Sequence, residues 1–456
     1  MDQYLIRVHQ AYTSSNVPLL TNLLSPLPES TSFIQLRQTL LSSPHLRPTS
    51  YRDTTRSKFS NPQQTPFADY LSNHLIYVRD TPLEVVGSCT KEGLEKSLEL
   101  LEDLYKTGDR LFATSETGYF VETLRLLTRQ LIKTALLHGK ITKDSKLTKA
   151  GEAARMLARP MGIAASDKSI ESPPHAHSGG SSVRGKKTAL YFLANQTFKV
   201  YFALKNLRLC DTVLNNVNNS NVSLESGMFV KGDQSEFWYY RGRINLYQRR
   251  LRAAKKDLEK SLINCNSSSW KNARLILIYL ITASIPLGYF PKYDVLKHFN
   301  LDEPFGPGLI EPLKKGHWSK VLSHLNLHKA FHLKHGNYSL LVEKLETICW
   351  RNLTRQTLLV STNGNPSPTN NGPPTLSLQL LLTSAKYAWK SIPSSTTSQK
   401  EEEEEEDLEL DLDDIESMTV SLMDQGYLKA YIMHSKRLLV LQKGKHFGFP
   451  PLSSIA

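Results

Sequence analysis

The sequence predicts a mainly α-helical protein in which a tetratricopeptide-like array of stacked helices precedes a C-terminal winged helix. Three observations predict this fold class. The segment 271–281 is almost purely apolar after Arg274, in a chain that is otherwise polar and basic, so it should form a buried helix. Short helical patterns follow this segment. The chain then closes with a helix and a basic-tipped β-hairpin, the arrangement of a winged helix.

The first 165 residues predict an irregular helical region. Leucines at helical spacing indicate a helix around residues 94–104, and a second helix is predicted over about 119–138, with a break starting at Thr107 and Gly108. Residues 30–64 are rich in Ser, Thr, Pro and Arg, and this composition is typical of a disordered segment.

Residues 166–187 predict a linker, because they contain Pro173, Pro174 and a Ser/Gly-rich run without periodicity. The two histidines in this run, His175 and His177, have no cysteine or further histidine nearby to complete a metal site.

Residues 188–345 predict the helical-repeat part of the chain. An Asn-rich loop is expected at 215–222. Gly242 is expected to allow close helix packing, and Ala254 with Leu258 completes a weak repeat pattern. Helix pairs of this kind cannot bury their apolar faces alone and must stack on neighbours.

Residues 346–456 predict the winged-helix part, with loop insertions at 361–374 and 393–407. Residues 375–392 are expected to form an amphipathic helix. Residues 412–425 predict a second helix with acidic residues in its first turn, followed by strands on either side of a turn at 434–437.

The charge of the chain is unevenly distributed. The net charge is +13, yet residues 401–416 hold twelve acidic residues and no Lys or Arg. The remainder has 56 basic and 31 acidic residues, a net charge of +25. A net charge of this size on the rest of the chain favours a polyanionic partner: nucleic acid, an acidic protein segment or an anionic membrane surface.

The four cysteines, Cys89, Cys210, Cys265 and Cys349, are far apart in sequence, which argues against a zinc site or a disulfide framework. No catalytic motif is recognisable, so we expect neither an enzyme nor a cofactor, and no small-molecule substrate. The first ten residues lack a signal-peptide core, and the most apolar window is too short and too broken to span a bilayer, so no membrane role is expected.

Four segments carry a resemblance to a known family. They are F-W-Y-Y-R-G-R-I-N-L-Y at 237–247, K-N-A-R-L-I-L-I-Y-L-I at 271–281, Y-S-L-L-V-E-K-L-E-T-I-C-W-R-N-L at 338–353, and 412–418 continuing through K-A-Y-I-M-H-S-K-R-L-L-V-L at 429–441. As an ordered set they resemble the PCI domain family. The closer resemblance is to its signalosome subunit twelve-like branch, which includes PCI domain-containing protein two and the PCI subunit of the nuclear transcription-and-export-two complex.

The resemblance implies a non-enzymatic scaffold in the nucleus, with the cytoplasm as a further location. It implies pairing with a second PCI-type subunit and with a small acidic protein of the proteasome lid. It also implies that the winged helix binds RNA or double-stranded DNA and couples transcription to messenger RNA export. The alternative is a protein-interaction subunit of a signalosome- or proteasome-lid-like complex that binds no nucleic acid.

Two groups of basic residues are candidates for phosphate binding, which needs cations that can approach the backbone. The hairpin group consists of Lys429, His434, Lys436, Arg437, Lys443 and Lys445. The second basic surface could bind RNA or an acidic partner peptide, and it consists of Arg241, Arg243, Arg249, Arg250, Arg252, Lys255 and Lys256. Either group could instead be a solvated surface, and a basic hairpin tip also discourages edge pairing.

Other residues are more consistent with packing than with ligand binding. Trp238, Tyr239 and Tyr240 could stack on bases, but aromatic residues at helix junctions more often belong to the core. His324, His328 and His332 have the i, i+4, i+8 spacing of one helix face, and we expect an exposed face rather than a metal site.

Overall fold

The computed structural model describes residues 1–42, 48–82, 90–114, 117–167, 185–364, 372–389, 410–444 and 446–455. It divides into two compact units, Met1–Tyr240 and Arg241–Ala456. The predicted fold class is confirmed, because both units are mainly helical and the second contains a small three-stranded sheet beside its last helices. Several predictions concern residues outside the described ranges: His175, His177, Cys89, Lys445, half of the predicted insertion 361–374 and all of the insertion 393–407, which includes the acidic run 401–406.

The first unit is built from helices whose apolar faces pack on one another. They are α1 (Asp2–Thr13), α2 (Val17–Leu23), α3 (Thr31–Leu41), α4 (Pro48–Lys58), α5 (Thr65–Asp80), α6 (Lys91–Ala113), α7 (Val121–Ile141), α8 (Thr148–Met156), α9 (Ala158–Ser166), α10 (Leu190–Ala203) and α11 (Arg208–Asn219). Helix α12 (Lys231–Tyr247) contains the division between the two units.

Helix α6 continues through Thr107 and Gly108, where the sequence predicted a break. Gly108 is buried, and a Cβ there would lie 3.3 Å from Leu127 and 3.4 Å from both Phe120 and Tyr70. The glycine therefore allows close packing of α6 inside the unit and does not end the helix.

The prediction of disorder over residues 30–64 was wrong for the part that the structure describes. Helix α3 begins after Ser30, whose side chain caps it, and α4 buries Tyr51 and Thr55 completely. Arg56 donates to Asp69 of α5 at 3.0 Å. The hydroxyl and arginine side chains that suggested disorder serve here as a helix cap and as an ion-pair partner, and Phe33, Leu36 and Leu40 give α3 a buried face.

The predicted Asn-rich loop at 215–222 begins later than expected. Helix α11 runs on to Asn219, because Val213 and Val217 keep one face of it buried. An apolar pair at i, i+4 here outweighs the low helix propensity of the intervening asparagines.

The second unit begins with a helical array and ends with a winged helix. After α12, its helices are α13 (Leu251–Asn264), α14 (Trp270–Ser284), α15 (Tyr293–His298), α16 (Asp302–Phe305), α17 (Pro307–Lys315), α18 (Trp318–Leu327), α19 (Lys329–His335), α20 (Tyr338–Ser361), α21 (Leu378–Trp389) and α22 (Leu412–Asp424). Its strands are β1 (Thr375–Ser377), β2 (Ala430–Met433) and β3 (Leu438–Leu441).

Helix α14 contains the apolar segment 271–281 and lies in the core of the array. Ile278 is completely buried, and Leu277, Ile281 and Ile285 belong to the same cluster as residues of α17, α18 and α20. Helices α12 and α13, which precede α14, pack closely at Gly242. A Cβ at this position would lie 2.6 Å from Leu258 of α13, so only a glycine fits here without a shift of the leucine.

Helix α20 belongs to both parts of the second unit. Its first half contributes Leu341, Leu345 and Ile348 to the core of the array, and its second half contributes Trp350 and Leu358 to the core of the winged helix. The predicted boundary at residues 345 and 346 therefore falls inside one continuous helix.

The winged helix contains an antiparallel sheet in the order β1-β3-β2. Tyr431 of β2 pairs with Val440 of β3, which in turn pairs with Thr375 of β1. Leu439 and Leu441 belong to the same core cluster as Ile415 and Leu422 of α22, and Val440 between them is also buried.

Strand β1 corrects the predicted amphipathic helix at 375–392. Residues Thr375–Ser377 pair with β3, and the helix begins only at Leu378. Leu376 is buried on the core side of this short strand. Three residues are too few for a period of two to stand out in the sequence.

Helix α22 begins with a capping box. The side chain of Asp411 accepts a hydrogen bond from the amide of Asp414 at 2.8 Å, and the side chain of Asp414 accepts one from the amide of Asp411 at 3.0 Å. These acids therefore satisfy free backbone amides as well as interacting favourably with the helix dipole.

Candidate nucleic-acid interface

The tip of the β2–β3 hairpin carries two exposed cations, Lys436 and Arg437. A single 3-10 turn, His434–Lys436, connects the strands, and Arg437 follows it with a φ of 50°. The carbonyl of Arg437 accepts a hydrogen bond from the amide of Leu378 at 3.0 Å. The backbone of the tip is thus fixed against the start of α21, while both cationic side chains face solvent.

His434 lies at the same tip but faces a carboxylate. Its Nδ1 lies 2.9 Å from Oε2 of Glu416 on α22. The His434 side chain is 74% exposed and the Glu416 side chain 23% exposed. When His434 is protonated, this pair cancels its charge locally, so Lys436 and Arg437 supply the positive charge of the tip.

Two other predicted hairpin residues, Lys429 and Lys443, lie at the opposite end of the strands. Lys429 precedes β2, and Lys443 follows β3 by two residues; both are exposed. The amide of Gln442 donates to the carbonyl of Lys429 at 2.9 Å, which holds the two strand ends together. With four residues in each strand, roughly 13 Å separates this end from the tip.

In the predicted second basic surface, several cations have partners within the protein. Arg241 binds Asp257 through two hydrogen bonds, at 2.6 Å and 2.7 Å, and Asp257 is almost completely buried. Arg243 lies over the ring of Tyr279, 4.5 Å from its centroid. Arg241 is therefore part of the packing between α12 and α13, which corrects its assignment to a binding surface.

Arg249 also has a partner, since its Nη2 lies 2.8 Å from Oε2 of Glu343. The exposed remainder of the predicted surface is Arg250, Arg252 and Lys256, with Lys255 half-buried beside them.

A small pocket lies on this exposed remainder. Its volume is about 240 Å³, and Arg252, Lys255, Lys256 and Tyr289 contribute to its lining. Lys255 lies 4.4 Å from the centroid of the Tyr289 ring and also binds Glu259 at 2.5 Å. Arg252 donates to the carbonyl of Ser453 at 2.8 Å, which joins the surface to the end of the chain.

The aromatic residues beside this surface belong to the core, as predicted for Trp238 and Tyr240. Trp238 is 6% exposed and Tyr240 is 8% exposed. The ring of Tyr240 lies 5.7 Å from that of Phe198. These two side chains are therefore not accessible for base stacking.

The histidine series at 324–332 does not form one exposed helix face, because α18 ends at Leu327 and α19 begins at Lys329. His332 is completely buried, with Nδ1 3.2 Å from Oδ1 of Asn337. Burial lowers the pKa of His332 to about 4. Within the described ranges, no three His, Cys, Asp or Glu residues are grouped as metal ligands.

Comparison with known proteins decides the family. No protein-family model matches the chain. A PCI domain-containing protein of Schizosaccharomyces pombe is 30% identical to it over 387 residues, which cover 82% of this chain and 80% of the relative. The chain belongs to the PCI domain family.

Two further relatives match a shorter part of the chain. PCI domain-containing protein 2 of Xenopus laevis is 29% identical over 271 residues, 59% of each chain. Enhanced ethylene response protein 5 of Arabidopsis thaliana is 26% identical over 262 residues, 58% of this chain and 57% of the relative. The chain thus spans less than two thirds of these relatives. The predicted resemblance to the branch of PCI domain-containing protein 2 is confirmed.

Family membership makes this PCI protein a scaffold-type protein of the kind that usually forms multi-subunit complexes. Among its described helices, none combines the length and apolar character needed to cross a membrane.

A third group of cations in this PCI protein was not predicted from the sequence. Lys314, Arg351, Arg355 and His446 line a groove of about 720 Å³. The groove shares Leu287, Tyr289 and Ser453 with the small pocket on the second basic surface. Arg351 and Arg355 are spaced i, i+4 on α20, a signal that the sequence contains. The contribution of His446 from the chain end depends on tertiary structure and has no local signal.

Proposed function

We propose that this PCI protein is a non-enzymatic scaffold subunit that pairs with a second PCI-type subunit and binds RNA or DNA through its winged helix. In this proposal it couples transcription to messenger RNA export and acts in the nucleus, with the cytoplasm as a further location. A small acidic protein of the proteasome-lid type completes the assembly.

The observation that carries the proposal is the exposed pair Lys436 and Arg437 on a fixed hairpin tip. Cations at the tip of a wing can approach a phosphate backbone without rearranging the fold, and each neutralised phosphate releases counterions. The net charge of +13 supports the same partner, because it raises the local concentration of a polyanion.

A second function follows from the sheet edge. The order β1-β3-β2 leaves β2 at an edge, and Tyr431 on it is 59% exposed. An exposed edge can add a strand from another chain. This favours the alternative, a signalosome- or proteasome-lid-like subunit whose winged helix serves only protein pairing.

Fluorescence anisotropy with labelled single-stranded RNA and duplex DNA tests the proposal. The full chain is titrated at several salt concentrations. Charge reversal by Lys436→Glu and Arg437→Glu together should weaken binding of all sequences and lower the salt slope by about 1 for each lost phosphate contact.

The matched control reverses Lys91 and Lys96, two exposed lysines on α6. It changes the net charge equally without touching the wing, so its salt slope should stay at the wild-type value. If both double variants weaken binding equally, the net charge of the protein accounts for the affinity, and the proposal that the wing contacts nucleic acid is wrong. Affinity purification with mass spectrometry identifies the second PCI-type subunit or a signalosome assembly.

A further inference from the structure

A bounded basic groove lies in the second unit, between the end of α17, the second half of α20 and the last residues of the chain. Its cations are Lys314, Arg351, Arg355 and His446. The described residues that line it include no aspartate or glutamate. Its volume of about 720 Å³ lies within the range of roughly 300–1,000 Å³ that is common for small-ligand sites.

Arg351 is buried in this groove, and no carboxylate among the described residues pairs with it. It is 7% exposed. Nη2 donates to the carbonyl of Pro450 at 2.8 Å, and Nη1 donates to Oδ1 of Asn352 at 3.0 Å, so both of these acceptors are neutral. Nε has no acceptor among the residues that the structure describes. A bound anion would stabilise this buried guanidinium, because it would supply the missing negative charge and additional hydrogen-bond acceptors.

Arg355 adds a like charge one helical turn further along. It is exposed, and like charges at i, i+4 destabilise a helix. Burial and the Arg355 charge together lower the pKa of Arg351 to about 10. An anion between the two guanidinium groups would remove this repulsion. Lys314 lies over the Phe290 ring, 4.7 Å from its centroid, at the same groove.

The last residues of the chain form one wall of the groove. Phe447, Phe449 and Leu452 line it, and the Arg351–Pro450 hydrogen bond holds this segment in place. A wall on this side limits the length of a ligand, which favours a compact anion over a polymer that must run along an open track.

We propose that this groove binds a small, multiply phosphorylated compound, with Arg351 and Arg355 as its principal contacts. The planar guanidinium fork matches two phosphate oxygens, and two arginines with a lysine suit a ligand that carries several phosphates. His446 strengthens the attraction when it is protonated. The compound is a ligand that stabilises the scaffold, separate from nucleic-acid binding by the wing.

Isothermal titration calorimetry of the full chain with inositol hexakisphosphate, in about 150 mM salt, tests the proposal. Arg355→Gln should weaken binding about tenfold, because it removes one charged hydrogen bond. Lys314→Gln should weaken it less. The matched control is Arg208→Gln, an exposed arginine on α11 in the first unit, which should bind like the wild type. Inorganic sulfate at equal ionic strength should not compete.

Hydrogen–deuterium exchange gives a second measurement that does not depend on the variants. The ligand should slow amide exchange in residues 446–455, because it crosslinks α20 to the wall of the groove. Absence of binding, or equal affinity for Arg208→Gln and Arg355→Gln, overturns the proposal. It is also overturned if Arg355→Gln weakens RNA binding while inositol hexakisphosphate does not bind. The Lys436→Glu, Arg437→Glu variant should bind inositol hexakisphosphate normally, which separates this site from the wing.

Discussion

The indole rings of Trp350 and Trp389 stack with their centroids 3.9 Å apart and their planes at 27°. Trp350 lies in the middle of α20 and is 4% exposed, whereas Trp389 lies at the end of α21. Trp389 packs against the cores of both the helical array and the winged helix. The stacked pair therefore joins these two parts of the second unit.

Replacing Trp389 with Ala should lower the free energy of unfolding by about 2–4 kcal/mol, through lost burial and lost ring stacking. Urea denaturation followed by circular dichroism measures the change. Trp270→Ala is the control, because Trp270 is 38% exposed and its ring stacks on that of Phe299 at a centroid distance of 6.0 Å. A larger loss for Trp270→Ala would contradict the assigned role of the Trp350–Trp389 pair.

Gly316 lies where α17 meets α20, with a φ of +77°. A Cβ there would lie 2.3 Å from the backbone nitrogen of Leu353. Gly316→Ala should therefore cost clearly more than the roughly 1–2 kcal/mol expected from a left-handed conformation alone. Gly336→Ala measures the cost of the left-handed conformation by itself, since Gly336 has a φ of +68° and nothing lies within 4 Å of the added carbon. Equal losses in urea denaturation would show that α17 can move away from α20.

Acid should destabilise the protein through His332. Its pKa is lowered to about 4 from an ordinary value of 6.5, so the folded state favours the neutral ring. This contribution is complete above pH 6.5 and is lost as the pH falls from 6.5 toward 4, with a slope approaching about 1.4 kcal/mol per pH unit. Denaturation at a series of pH values should show a shallower decline for His332→Gln than for the wild type. The exposed His298→Gln variant is the control and should retain the wild-type slope.

Asp257 should contribute to stability through its pairing with Arg241. Asp257→Ala leaves Arg241 and Asn245 without their acceptor, and the expected loss is about 3 kcal/mol or more. Glu259→Ala on the same helix removes the surface pair between the exposed Glu259 and the half-buried Lys255, and should cost at most about 0.5 kcal/mol. Thermal unfolding gives the midpoint temperature of each variant. Similar midpoints for Asp257→Ala and Glu259→Ala would mean that Arg241 finds another partner.

Sequence periodicity predicted the long helices and the hairpin, because their burial repeats every 3.6 or 2 residues. It missed β1, whose three residues gain their structure from pairing with β3, and it misread Gly108, which is needed for close packing. At the candidate site, the sequence identified Lys436 and Arg437 but could not separate Arg241 from the exposed cations. The partner of Arg241, Asp257, lies sixteen residues away on another helix, and opposite charges at that distance carry no local pattern.

The continuity of α20 determines how the chain can be divided. A fragment that begins at residue 346 would lose the first turns of the helix and expose the apolar face of the remainder to water. A fragment that ends there would leave the array without the helix on which α17 rests. Domain-mapping experiments should therefore keep α20 whole: a fragment that carries the winged helix should begin before Tyr338, and a fragment that carries the array should end after Ser361. Partner interactions that disappear when the cut falls inside α20 should be attributed first to unfolding.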